Sequence, residues 1–168
     1  MRNEARAFIK SLQDQITTAL NQINGESYQE DQWDRDGGGG GITRVYSGGS
    51  FLEKGGVNFS EVYGEFSPEF AEKMPHGSGL KFYATGVSLV LHPKNPFAPT
   101  VHANYRYIER GEAGWFGGGA DLTPCYVFVE DAQHFHRIHK EALDPFGKYP
   151  EFKKNCDEYF YLPHRKET

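Results

Sequence analysis

An antiparallel β-sheet with α-helices packed on it, an α+β arrangement, is the fold class this sequence predicts. Three features point to it. An amphipathic helix opens the chain, strand-like segments rich in β-branched and aromatic residues recur through its middle, and the strands are joined by loops of hairpin length rather than by helical crossovers. At 168 residues the chain has the length of one ordinary domain, 1–168, and can bury a core.

From Ala5 the apolar residues Ala5, Phe8, Ile9, Leu12, Ile16, Leu20 and Ile23 recur in steps of three and four. That spacing predicts a helix with one buried stripe, stopped by Gly25. Glu26, Glu30, Asp31, Asp34 and Asp36 then form an acidic surface stretch that contains only Arg35 as a counter-charge. The five glycines 37–41 have two readings, a loop without a duty or a lid that contacts an anion, because bare backbone can approach a ligand closely. No Lys-Ser or Lys-Thr follows them, so they are not a P-loop. Strands are expected over 42–46, 80–91 and 101–109, with Pro93, Pro96 and Pro99 enforcing a loop between the last two. The glycine-rich segment after Trp115 reads as a loop and 125–129 as a short strand. Asp131 reads as the cap of a helix that reaches Leu143 and ends before Pro145. A last helix should start near Pro150 and carry Phe152, Cys156 and Tyr159 on one side.

Composition narrows the function classes. A net charge of −5 argues against a nucleic-acid partner, since phosphate-backbone binding needs a surplus of Lys and Arg. No apolar run approaches the ~18 residues of a membrane span. Cys125 and Cys156 are too few for a disulfide framework and lack metal-site spacing, so a reduced, cytoplasmic setting is expected. Aromatics are abundant, at 13 Phe, 10 Tyr and 2 Trp. They are most simply core, although flat rings also suit a large planar or macrocyclic ligand.

Alternation along the two central strands sorts their side chains. Ser88 and His92 share one face of the first; His102, Asn104 and Arg106 share one face of the second. The opposite faces carry Val87, Leu89 and Leu91, and Val101, Ala103, Tyr105 and Tyr107, which are the core candidates. The polar set is either the wet side of a sheet or the floor of a carboxylate-binding cavity. In the second reading Arg106 is a bidentate partner and His102 a titratable neighbour. Asp121 is either an Asx-turn before Pro124 or a carboxylate that accepts N–H bonds from a ligand. His134, His136 and His139 lie on the expected helix, and with His92, His102 and His164 they are candidate metal ligands, although no HExxH is present.

Several stretches resemble the oxygen-dependent coproporphyrinogen III oxidases. They are GVNFS from Gly56, GVSLVLHP from Gly86, HANYR from His102, WFGGGADLTP from Trp115 and YFYLPHRKE from Tyr159. The resemblance covers essentially the whole chain, in the family's order. In the family the last stretch runs on into an Arg-Gly-x-Gly-Gly motif, so the chain is expected to be the N-terminal half of a longer enzyme. Such a piece would expose strand edges and apolar surface and be inactive and aggregation-prone on its own.

The resemblance implies a large antiparallel sheet flanked by helices, in a homodimeric enzyme of haem synthesis. That enzyme oxidatively decarboxylates two propionates of coproporphyrinogen III to vinyls, giving protoporphyrinogen IX. Dioxygen is the electron acceptor, and no cofactor is required. By matching position it implies His102 as proton donor, Ser88, Asn104, Tyr105 and Arg106 as substrate contacts, and Arg106 and Asp121 in decarboxylation. Some bacterial members carry a metal at the positions of His92, His102, His136 and His164; others need none. Two other readings stand beside this one: a module that only binds a tetrapyrrole, and a histidine-metal oxygenase of another class.

Overall fold

The structure, a computed structural model, describes residues 1–166. Glu167, at the end of the closing motif, lies outside the described residues. Helix α1 (Arg2–Asn24) ends at Gly25, whose left-handed backbone (φ 71°) lets its N–H donate to Asn21 O. Six strands follow in a meander: β1 (Gln29–Asp34), β2 (Gly39–Ser47), β3 (Leu52–Glu65), β4 (Lys81–Pro93), β5 (Thr100–Arg110) and β6 (Ala113–Thr123). Each pairs antiparallel with the next, so sheet order equals chain order. A short helix α2 (Pro68–Glu72), capped by Ser67, joins β3 to β4. After the sheet come α3 (Val129–Leu143), a 3-10 turn (Asp144–Phe146) and α4 (Tyr149–Phe160). The expected α+β class with an antiparallel sheet is what forms.

One face of the sheet is sealed by α1. Ile9 and Leu20 meet Tyr46, Leu52, Val57, Phe59 and Val87, while Ala5 packs near Tyr83 and Tyr107. Full burial of side chains this size stabilises by roughly 1.5–3 kcal/mol each. The buried stripe differs from the apolar one read from the sequence. Phe8 and Ile23 are 60% and 58% exposed, and Gln13, Thr17 and Asn24 are buried in their stead. Most of their polar atoms are satisfied across the interface; Gln13 Oε1 is buried with no partner among the described residues. Gln13 Nε2 donates to the carbonyls of Ile42 (2.8 Å) and Val57 (2.9 Å). Thr17 Oγ1 accepts from Arg44 Nη1 at 2.9 Å, and the Tyr46 hydroxyl donates to Asn21 Oδ1 at 2.8 Å. Asn24 clamps the β2–β3 turn: its Oδ1 accepts from the amides of Phe51 (3.2 Å) and Leu52 (2.8 Å), and its Nδ2 donates to Gly48 O (3.0 Å).

Other elements depart from expectation for local reasons. The acidic stretch contains β1, where Glu30 pairs with Arg44 at 2.9 Å, so its charges serve an edge strand. The glycine run is the β1–β2 turn and the start of β2. Gly40 and Gly41 sit in the ladder between β1 and β3 and Gly39 pairs with Val62 of β3, so they form neither a free loop nor an anion lid. The long β3 was hidden by Gly55 and Gly56 and by a register shift between Leu52 and Lys54, which breaks strict alternation. Residues 125–128 form no strand, and Val129 already begins α3. Asp131 therefore lies inside the first helical turn, where its charge suits the helix dipole, and Phe128 holds the cap position without a side-chain bond. Neither α3 nor α4 buries a residue completely, and Val127, Phe146 and Tyr159 stand exposed.

Two outcomes follow from this packing. Asn24→Ala removes three bonds and strands buried backbone groups, so the urea midpoint should fall by the equivalent of about 2–3 kcal/mol with an unchanged m-value. Burial, with Glu61 also contributing at Tyr83, pushes the Tyr46 and Tyr83 phenols up to about 12. In the unfolded chain both ionise near pH ~10. Their contribution is complete below that pH and is lost as pH rises toward about 12, because only the unfolded state gains by releasing the proton. Thermal melts should therefore decline steeply over this window, and the Tyr46→Phe variant should decline less.

Candidate functional site

Because α1 occupies one face, the alternate side chains of β3–β6 are directed to the other. Cross-strand pairing assembles them into rows, with strands about 4.8 Å apart. In one row Asn58, Ser88, Asn104 and Gly119 lie side by side. In the next, on one side, Val90, His102 and Asp121 are neighbours; on the other side lie Ser60, Gly86, Arg106 and Gly117. Ser88, His102, Asn104, Arg106 and Asp121 thus share one face, with the buried Val87, Ala103 and Tyr107 on the other. Asp121 belongs to β6 and not to a loop, which is why it meets His102 directly across the ladder. Tyr105 falls on the opposite side from its neighbours Asn104 and Arg106 by alternation, and 42% of it is exposed. Desolvation around its hydroxyl, and secondarily Cys156, raises its pKa.

The His102–Asp121 pair is the closest polar contact on this face, with Nδ1 and Oδ1 2.7 Å apart. An ionised carboxylate only accepts, so Nδ1 carries the proton and Nε2 becomes the nitrogen that exchanges protons. The second carboxylate oxygen of Asp121 accepts from Thr123 Oγ1 at 3.2 Å. Each oxygen keeps a further acceptor site for a ligand N–H. On its other flank the His102 ring meets the edge of Phe160 from α4, with centroids 6.2 Å apart. The imidazole is thereby fixed in tautomer by β6 and in orientation by α4.

Arg106 is exposed; its Nη2 donates to Asn104 Oδ1 at 2.8 Å, and no carboxylate among the described residues pairs with it. A planar fork of donors held by a neutral amide is suited to a carboxylate from outside. Ser88 has no side-chain bond among the described residues. Beside it, the Oδ1 of Asn58 is buried without a partner. Asn58, Thr123 and Phe160 were not singled out from the sequence as site residues. The signal for Asn58 was available, as a polar residue between the core residues Val57 and Phe59.

The candidate metal ligands do not come together. His92 Nδ1 lies 3.4 Å from Thr100 Oγ1 on β5, and His136 Nδ1 3.4 Å from the Tyr149 hydroxyl beside α4. His134 bonds Arg137 and His139 bonds the Phe135 carbonyl along α3, while His164 follows α4. Among the described residues no group of three or more His, Cys, Asp or Glu side chains is arranged to hold a metal ion. Two recesses of about 590 and 490 Å³ lie elsewhere, beside Arg2 and Phe82 and between α3 and Tyr149. The polar rows are partly overlain by α4, through Phe160 at His102 and Cys156 at Gly119.

Comparison with known proteins identifies the family. The family model described as coproporphyrinogen III oxidase matches residues 4–168. The chain belongs to the coproporphyrinogen III oxidase family. It is 52% identical, over 99% of its length, to an oxygen-dependent coproporphyrinogen-III oxidase of Prochlorococcus marinus (strain MIT 9313), covering 49% of that protein. To the proteins of the same description from Synechococcus sp. strains CC9902 and CC9605 it is 52% and 53% identical over 99% of the chain, covering 47% of each. The chain spans about half the length of the curated relatives it matches. A histidine-metal oxygenase of another class is not favoured.

The fixed tautomer can be measured. Long-range ¹H–¹⁵N correlation spectra should show His102 protonated at Nδ1 when neutral, and Asp121→Ala should move the proton to Nε2.

Proposed function

We propose that this chain supplies the sheet floor of an oxygen-dependent coproporphyrinogen III oxidase, working as a homodimer in the cytoplasm. The observation that carries this reading is an exposed Arg106 with no carboxylate partner among the described residues, on the same face as the His102–Asp121 pair, in a chain of this family. Two free cysteines suit a reducing compartment.

The reaction converts a propionate to a vinyl group. For each one, propionate, dioxygen and one proton give the vinyl, carbon dioxide and hydrogen peroxide, with two electrons passing from the substrate to oxygen. The porphyrinogen macrocycle is electron-rich and reacts with dioxygen once a pyrrole N–H is deprotonated, so the electrons have a route without a resident cofactor. The residues divide the remaining work. Arg106 holds a propionate by paired N–H donors, and Asn104 keeps its guanidinium aimed. Ser88 and Asn58 contribute positioning contacts; no base adjoins Ser88 to make it a nucleophile. The free lone pairs of Asp121 accept pyrrole N–H, and its bond to Nδ1 stabilises the imidazolium of His102, which exchanges a proton at Nε2 as the vinyl forms.

Assays of this chain within a protein of its relatives' full length, with coproporphyrinogen III in air and under argon, test this. Turnover is expected only in air, with one carbon dioxide and one hydrogen peroxide per vinyl. Equal product under argon would remove dioxygen from the scheme. Asp121→Asn keeps the shape and loses the charge, so kcat should fall by at least about a hundredfold with little change in melting temperature.

A further inference from the structure

Gly117, Gly118 and Gly119 are consecutive in β6, yet each is glycine for a different reason. A Cβ on Gly118 would stand 2.2 Å from the Asn104 carbonyl oxygen, so the close approach of β5 requires its absence. A Cβ on Gly119 would make ordinary contact with Cys156 Sγ at 3.4 Å, beneath α4. A Cβ on Gly117 would meet nothing within 4 Å, and this residue is not among the glycines at positive φ. Glycine inside a strand weakens it, because it has more backbone freedom to lose and no side chain to pack. At 117 neither the backbone nor any described neighbour requires it.

Its position gives the absence a purpose. Gly117 pairs with Arg106 across the ladder, and Gly86 is the partner of Arg106 on the other side. At Gly86 a Cβ would press on Arg106 Cβ at 3.0 Å, so packing explains that glycine. The unexplained one lies beside an exposed cation without a carboxylate partner among the described residues. We propose that Gly117 is a clearance position: the volume left by its missing side chain admits the edge of a bulky carboxylate ligand, so that residue 117 sets the size of anion Arg106 can engage. The inference rests on the functional reading above for the ligand's class, a propionate-bearing tetrapyrrole. Opposite charge favours this occupant, since what enters must sit against a guanidinium.

The test uses this chain within a protein of its relatives' full length and coproporphyrin III, the air-stable aromatic form of the proposed substrate, titrated by its fluorescence. Wild type is compared with Gly117→Ala and Gly117→Val, and Gly118→Ala serves as the variant that should damage the fold. Both substitutions at 117 should leave the melting temperature unchanged or raise it. They should weaken binding in order of size, by about threefold for alanine and about tenfold or more for valine, as inserted methyl groups do in a filled space. Wild-type affinity in a stably folded Gly117→Val variant overturns the inference. A drop in melting temperature like that of Gly118→Ala also overturns it, because the space would then belong to the protein's own packing. If wild type itself fails to bind coproporphyrin, the functional reading falls and the clearance role falls with it; binding by wild type with no loss at valine removes the clearance role alone.

Discussion

Helix α1 lying across one face of the meander is the constraint on which the rest of this structure depends. A sheet has two sides, and side chains alternate between them without exception along a regular strand. Once Ile9 and Leu20 commit Val57, Phe59 and Val87 to the helix, the neighbours Asn58, Ser88 and Asn104 have only the other side. A slip of one residue in register would put Val87 in water and Ser88 under the helix. Sealing the core and building the polar floor are therefore one event. The polar staples from Gln13, Thr17 and Asn24 sharpen it, since each must find particular backbone or side-chain groups on β2 and β3.

The floor's chemistry is distributed across strands rather than along one. Arg106 and His102 lie four residues apart on β5, roughly 13 Å along the strand. The groups that fix them come from different directions: Asn104 from the same strand, Asp121 from β6 and Phe160 from α4. A large ligand suits this arrangement, because its anionic arm and its reacting ring lie apart. The division of labour on the two carboxylate oxygens of Asp121 fits as well. One is spent on the imidazole and one on Thr123, so the carboxylate cannot swing, and its remaining lone pairs face a defined region.

Much of this was legible in the sequence. Alternation alone placed Ser88 with His102, Asn104 and Arg106 on a common side opposite Val87 and Ala103, and the hairpin-length loops made the sheet antiparallel. What stayed hidden had physical causes. Hydropathy assigns Phe8 to the core and Gln13 to the surface, because it counts transfer energy and not the backbone carbonyls that wait for a donor. The same blindness took the charged β1 for a surface stretch. Asp121 looked like a loop residue because three glycines precede it, and glycine is usually a sign of irregular chain. In β6 the glycines instead allow close strand approach and open space, which only the positions of neighbouring atoms reveal. The histidines show the reverse case: their number suggested a centre, and the topology spreads them over β4, β5, α3 and the segment after α4.

An acidic chain proposed to bind a polyanion needs its charges sorted in space. The net charge is −5, so the protein's mean field repels such a ligand at long range. Glu30, Asp31 and Asp34 lie on β1, four strands from the strand of Arg106. At about 4.8 Å per strand that distance is roughly 19 Å, more than twice the Debye length of about 8 Å at physiological salt. Their repulsion is largely screened at the floor, whereas Arg106 acts at contact distance, where screening is weakest. The carboxylate of Asp121, which lies on the floor, is held against the His102 imidazole. Attraction is thus confined to the last few ångströms. For the proposed carboxylate-bearing macrocycle, affinity then depends on the shape and hydrogen bonds of the floor more than on the charge of the molecule.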